Sequence, residues 1–233
     1  MTQSSIARPP WNKAANRRLA GVLAFTAAYM VPSIPWALSI GNREFLFYIV
    51  VMFALIAASV IAYLRGGLGI GSLWGLAVLG LLHVAGGLAR VPTTWPIDGE
   101  VRVLYSWWII PGWLKYDQVV HAFGHGILTW ICWLTLRRLA RGGHIKPTFG
   151  ILVVCAAASM GFGALNEIVE YAATRLYERT NVGGYENTCL DLLANLVGAI
   201  AAAIHIRIRW RETAAIGPNP SLPNTSSTSG TQP

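Results

Sequence analysis

Residues 45–64 read FLFYIVVMFALIAASVIAYL, an unbroken apolar run with no charged side chain. A run of this kind matches the ~20 residues that cross a hydrocarbon core of ~30 Å as one helix. Five further blocks of similar length lie on either side of it, at approximately 19–40, 67–88, 118–136, 148–172 and 188–206. The apolar residues of this chain are gathered into spans rather than spread through amphipathic patterns. The expectation is an all-α membrane protein, a bundle of about six transmembrane helices.

Composition agrees. Of 233 residues, 54% are hydrophobic and 12% charged, about half the share of roughly one quarter that a water-soluble domain carries. Six spans with short connections use nearly the whole chain. One transmembrane domain is therefore expected over 19–211, with a basic N-terminal segment at 1–18 and a Pro-, Ser- and Thr-rich tail at 212–233 that is too poor in apolar residues to fold.

The net charge of +8 does not indicate a nucleic-acid partner, because the basic residues punctuate the ends of apolar blocks and form no continuous face. Topology accounts for them. With the N-terminus inside, Arg8, Lys13, Arg17, Arg18, Arg65, Arg137, Arg138, Arg141, Lys146, Arg207, Arg209 and Arg211 fall on the inner side. Arg43, Arg90, Arg102, Lys115, Arg175 and Arg179 fall on the outer side. Twelve against six follows the positive-inside rule and places both termini in the cytoplasm. No small-x-small cleavage site follows the basic N-terminus, so the first block is expected to stay as a helix. Cys132, Cys155 and Cys189 are too dispersed for a disulfide framework and read as packing residues.

Two local features carry structural expectations. Pro32 and Pro35 should kink the first span, and Gly67, Gly71 and Gly75, one turn apart, form a stripe suited to close helix contact. The outer connection at 89–116 contains Trp95, Tyr105, Trp107, Trp108, Trp113 and Tyr116 with Pro92, Pro96 and Pro111. It is expected to lie across the outer surface, anchoring at the interface or covering a site.

The informative residues are polar ones inside apolar spans. Asp117, His121 and His125 sit at i, i+4 and i+8 of the fourth span, and so share one face. Asn166, Glu167 and Glu170 lie within a turn of one another on the fifth. Asn187, Asp191 and Asn195 repeat the four-residue spacing on the sixth. All three ladders start at the outer end and meet at one depth. Ionisable groups in a span cost roughly 2.5–3.5 kcal/mol each on insertion scales, face the bundle interior and mark sites. A polar clasp between helices is the plainer alternative. His83 reads as a packing residue close to the cluster, and His144 and His205 as inner-side residues without partners.

Histidine with carboxylate suits divalent metal binding, acid–base chemistry or a proton relay. The metal candidates are His121, His125, Glu167 and Asp191, and the candidate catalytic residues are His121, Glu167 and Asp191. No H-E-x-x-H, P-loop, G-x-S-x-G or dinucleotide fingerprint is present to narrow the choice.

The runs Tyr116–His121, Asn166-Glu167 and Asn187–Gly198 resemble the VanZ-like family of bacterial membrane proteins and the related YjdF-type inner-membrane proteins. Asp117, His121, Glu167, Asp191, Asn195 and Gly198 carry the resemblance, which covers residues 116–206. It implies a multi-pass protein of the bacterial inner membrane, some of whose relatives bear on teicoplanin-type glycopeptide resistance. The leading functional expectation is binding of an envelope lipid or glycan-lipid head group at the outer polar site. An intramembrane hydrolase or transferase is second, and a proton-coupled transporter third. The transporter is disfavoured because the polar residues stop about halfway down the spans.

Overall fold

The structure is a computed structural model that describes residues 13–140, 145–178 and 180–215. Arg8 and Pro9-Pro10 in the N-terminal segment, Arg141, His144, Arg179 and the tail from residue 216 lie outside the described residues. The described chain forms six helices: α1 (Lys13–Ser39), α2 (Arg43–Leu64), α3 (Ile70–Leu88), α4 (Tyr116–Leu139), α5 (Phe149–Leu176) and α6 (Tyr185–Ala215). Each is long and apolar enough to cross a bilayer, and the chain is a multi-pass membrane protein. Helix α1 opens at Lys13 and α6 runs to Ala215, well beyond the apolar blocks at 19–40 and 188–206. Hydropathy marks the hydrocarbon boundary, whereas backbone hydrogen bonding carries a helix on into the basic flanks.

The packing inverts that of a water-soluble protein. Asp191, Asn195, Thr129 and Ser159 have no exposed surface, while Val31, Val50, Ile168 and Ile204 are more than half exposed. In water that distribution would be costly; in lipid it is the expected one. Helix α1 runs unbroken through Pro32 and Pro35, and the Ser33 hydroxyl donates to the Met30 carbonyl at 2.7 Å beside them. Asn42 caps α2 by accepting from the Phe45 amide at 3.0 Å.

Helices α4 and α6 share the most extensive interface, with α5 against both, α3 against α1 and α4, and α2 on α1 and α3. Gly198 sets the closest approach. A Cβ there would sit 1.9 Å from the Ala122 carbonyl oxygen, so any side chain would force α4 and α6 apart. The expected glycine stripe does not make such a contact along its length. Gly67 lies in the turn ahead of α3, where a Cβ would meet the Ala62 carbonyl oxygen at 3.2 Å, a Cβ on Gly71 would meet nothing within 4 Å, and of the three only Gly75 packs against a later helix, at Ile127. The tight positions of α3 are Gly80, Gly86 and Gly87, which make room for the rings of Tyr29, Tyr105 and Phe45. One-turn spacing identifies a small-residue stripe but not the face that meets a neighbour.

Residues 89–115 form a folded cap over the ends of α3 and α4 rather than a segment lying flat. Bridges join Arg90 to Val103 and Ile97 to Trp107, a 3₁₀ turn spans Leu104–Ser106, and β1 (Trp108–Ile110) pairs antiparallel with β2 (Leu114–Lys115). Gly112, at φ +74°, turns the chain between the strands. Val91, Val103, Ser106 and Lys115 are buried beneath the cap. The Trp95 and Trp107 rings pack with centroids 4.3 Å apart, and Trp113 stands 82% exposed, as an interfacial anchor would.

Candidate functional site

The three polar ladders converge under the cap. Their spacing along α4, α5 and α6 turns each set inward because outward placement would bury charge in lipid. His121 is central. Its Nδ1 lies 3.0 Å from Asn195 Oδ1, and its Nε2 lies 3.6 Å from Asp117 Oδ1. Because an amide oxygen only accepts, Nδ1 carries a proton, and Nε2 faces the carboxylates. On α6, Asn187 Nδ2 donates to Asp191 Oδ2 at 2.6 Å and to the Val182 carbonyl at 2.9 Å. On α5, Asn166 Nδ2 donates to Glu170 Oε1 at 2.7 Å.

Several of these groups are left incomplete. Glu167 Oε1, Asp191 Oδ1 and Asn195 Nδ2 are buried with no hydrogen-bond partner. Asp117, His121 and Asp191 each offer a ligand atom within 4.8 Å of the others, and so do His121, Glu167 and Glu170. These two groups modify the expected metal set. His125 is in neither, while Asp117 and Glu170 are included. The Ser159 hydroxyl donates its one proton to the His125 carbonyl at 3.0 Å, so His125 Nδ1 donates to that hydroxyl at 3.1 Å. His125 stacks under His121 at 6.4 Å and ties α4 to α5 one turn deeper.

The cap completes the surroundings with residues that hydropathy did not single out. Lys115 is buried at the start of α4. Its ammonium donates to Asn187 Oδ1 and to Asp98 Oδ2, the latter at 3.2 Å, and lies 5.6 Å from the Trp108 ring. The Tyr105 hydroxyl and His83 Nδ1 share a hydrogen bond at 2.5 Å, which leaves His83 a cap-holding residue beside the cluster. Burial pushes the Tyr105 hydroxyl well above the usual phenol value, and Asp117 and Glu170 nearby push it further in the same direction. Glu44, in the first turn of α2, accepts from the Asn181 amide at 3.0 Å and from the Tyr48 hydroxyl at 3.3 Å. Asn181 Oδ1 accepts from Ser106, so the α5–α6 connection is joined to both α2 and the cap. His205, expected to lack partners, packs its ring on Trp130 at 5.6 Å.

Gly163 on α5 is the other residue that sequence reasoning missed. A Cβ there would lie 2.6 Å from Asn195 Nδ2 and 3.1 Å from His125 Cε1. Its bareness makes room for the amide that orients His121. A glycine in an apolar span gives no signal of that duty.

Chemically, four carboxylates surround one imidazole with a free nitrogen, and acceptors outnumber donors. Below this level Trp133, Cys155 and Ile206 form a buried apolar cluster between α4, α5 and α6. No curated protein and no solved structure matches the chain. A bundle of six helices, each long and apolar enough to span a membrane, fits what the family comparison finds: a model described as predicted membrane protein (DUF2238) matches residues 19–212, and the chain belongs to that family.

Proposed function

We propose that this protein binds the polar head group of an envelope lipid or glycan-lipid in the cluster beneath the cap, at the outer face of a bacterial inner membrane. The observation that carries the reading is that three of the buried polar atoms without partners, Glu167 Oε1, Asp191 Oδ1 and Asn195 Nδ2, fall together in this cluster, while Ser72, Arg102, Gln118 and Thr129 hold the others. A purely structural clasp would satisfy its own groups, because each orphan costs about 1–3 kcal/mol. A head group rich in hydroxyl donors, with an acceptor for Asn195, supplies the missing bonds. The excess of carboxylates favours a donor-rich sugar over a bare phosphate. The charge asymmetry of the connecting segments supports the outer placement, and the resemblance of residues 116–206 to VanZ-like and YjdF-type proteins supports an envelope role.

Hydrolase or transferase chemistry is the second reading, favoured by the free His121 Nε2 among carboxylates, a general-base arrangement. A transporter is disfavoured because the residues packed below the cluster between α4, α5 and α6, with Trp133, Cys155 and Ile206 at their centre, are apolar.

The test is native mass spectrometry of the protein from nanodiscs of phosphatidylethanolamine and phosphatidylglycerol, with and without monoglucosyl-diacylglycerol. Selective retention of the glycolipid, weakened at least about tenfold by Glu167→Gln or Asp191→Asn, supports head-group binding. Equal retention of every lipid by parent and variants refutes it.

A further inference from the structure

We infer that Asp117, His121 and Asp191 form a binding site for a divalent transition-metal ion, with its open coordination position facing Glu167. This rests on the cluster being a ligand site, as proposed above, and names the ion through which the head group is held. Three observations converge on it.

The first is the unused capacity of Asp191. It has no exposed surface, its Oδ2 is occupied by Asn187, its Oδ1 has no partner, and one of its carboxylate oxygens lies within 4.8 Å of ligand atoms of Asp117 and His121. A buried carboxylate with an unpartnered oxygen, set beside two other ligand residues, needs a cation or a strong donor.

The second is the orientation of His121. Histidines that bind metals give their other ring N–H to an acceptor, which fixes the tautomer and the ring plane. Asn195 Oδ1, 3.0 Å from Nδ1, does this for His121. Asn195 is itself fully buried, and Gly163 gives it the room. Asn187 plays the same part for Asp191, and is held by the Val182 carbonyl and the Lys115 ammonium.

The third is a separation. His121 Nε2 and Asp117 Oδ1 stand 3.6 Å apart, too far for a hydrogen bond. Two ligands of a tetrahedral ion at ~2.0–2.1 Å are separated by ~3.3 Å, so the pair needs to close by only a few tenths of an ångström around an ion.

One imidazole nitrogen and two carboxylates make a nitrogen–oxygen donor set of the kind that takes Zn²⁺, Mn²⁺ or Fe²⁺; Ca²⁺ and Mg²⁺ favour all-oxygen shells. Three protein ligands leave a position open, as in sites where an ion meets a water or a substrate oxygen. Glu167 has an unpartnered Oε1 and offers a carboxylate oxygen within 4.8 Å of a His121 ring nitrogen; on this inference it faces that position and would accept a hydrogen bond from a hydroxyl bound there. Lys115, paired with Asp98 and Asn187, offsets part of the remaining negative charge.

The experiment is elemental analysis of the full chain purified in detergent without chelator, followed by chelator stripping and equilibrium dialysis against Zn²⁺, Mn²⁺ and Co²⁺. The parent is expected to hold about one ion per chain and to show the visible bands of tetrahedral Co²⁺. His121→Ala and Asp191→Asn should lose the ion, and His125→Ala, which lies outside both groups of ligand atoms, should keep it. The parent's Co²⁺ spectrum is independent of any variant that fails to fold. No ion and no Co²⁺ uptake by the parent, or retention of the ion by a folded His121→Ala protein, would overturn the inference. Glycolipid retention in the same preparations separates the two readings. A parent that holds glycolipid but no ion overturns the metal site alone; one that loads an ion but selects no head group overturns the head-group reading alone.

Discussion

Replacing Asp191 with asparagine removes a buried charge while keeping the side chain's shape. In the parent, Asp191 Oδ2 accepts a 2.6 Å bond from Asn187, and Oδ1 is buried without a partner. In protein stripped of metal and ligand, that orphan oxygen contributes only its desolvation cost, about 1–3 kcal/mol. Neutralising it also relieves repulsion from Asp117 and Glu167. Against this, the Asn187 bond passes from a charged to a neutral acceptor, a loss of about 0.5–1.5 kcal/mol. The balance leaves the stripped Asp191→Asn protein as stable as the parent or more stable by up to about 2 kcal/mol. Affinity for the bound group should fall by about 10- to 100-fold, the equivalent of ~1.4–2.8 kcal/mol. Denaturant unfolding in mixed micelles, followed by tryptophan fluorescence, measures the first quantity, and ligand retention in nanodiscs the second. Opposite responses of stability and binding are characteristic of a site held ready for a ligand. A loss of more than about 2 kcal/mol in the stripped variant, with retention unchanged, would mean that the cluster is a clasp.

Gly198→Ala should destabilise the bundle by at least about 1–3 kcal/mol, since its Cβ would meet the Ala122 carbonyl at 1.9 Å; the unfolding midpoint checks it. Gly163→Ala should disturb the Asn195–His121 pair and lower ligand retention without touching any ionisable residue, measured alongside Gly161→Ala, whose Cβ would meet nothing within 4 Å. Lys115→Met should leave Asn187 Oδ1 and Asp98 without their cation and cost about 1–3 kcal/mol, seen as faster amide exchange across residues 89–115. Tyr105 carries a raised pKa in the fold, so its contribution is fully present below the unfolded phenol value near ~10. Above that it should be lost with rising pH at about 1.4 kcal/mol per pH unit. Tyr105→Phe should flatten this alkaline limb, and an unchanged limb would contradict the burial assigned to the hydroxyl.

The six spans were legible because lipid imposes a length and a composition that few other environments demand, and the block at 45–64 meets both with no charge. The ladders on α4, α5 and α6 were legible for the converse reason: Asp117, His121 and Asp191 have no business in hydrocarbon unless they face one another. Spacing supplied the faces, but not the roles within them. His125 shares a face with His121 yet belongs to Ser159, and that partner, a lone serine on α5, carries no pattern. Lys115 and Glu44 lie at span ends, where charge is ordinary, so nothing in the sequence distinguishes a buried pin from an interfacial residue. The glycines divide the same way. Gly67, Gly71 and Gly75 make the more regular pattern, but the closest contacts fall at Gly198, Gly86 and Gly87, because contact depends on which neighbour faces the helix. The cap was legible as aromatic and interfacial, while its hairpin, set by Pro111-Gly112 and short pairings, was not.

The central claim is that the polar cluster holds a non-protein group, and a crystal structure of the metal-loaded protein in lipidic phase, with anomalous data at the metal edge, tests it most directly. The account predicts an anomalous peak about 2 Å from His121 Nε2 and Asp191 Oδ1, with head-group density reaching it beside Glu167. An empty cluster in which Asp191 Oδ1 and Glu167 Oε1 are each bonded to protein donors would contradict it.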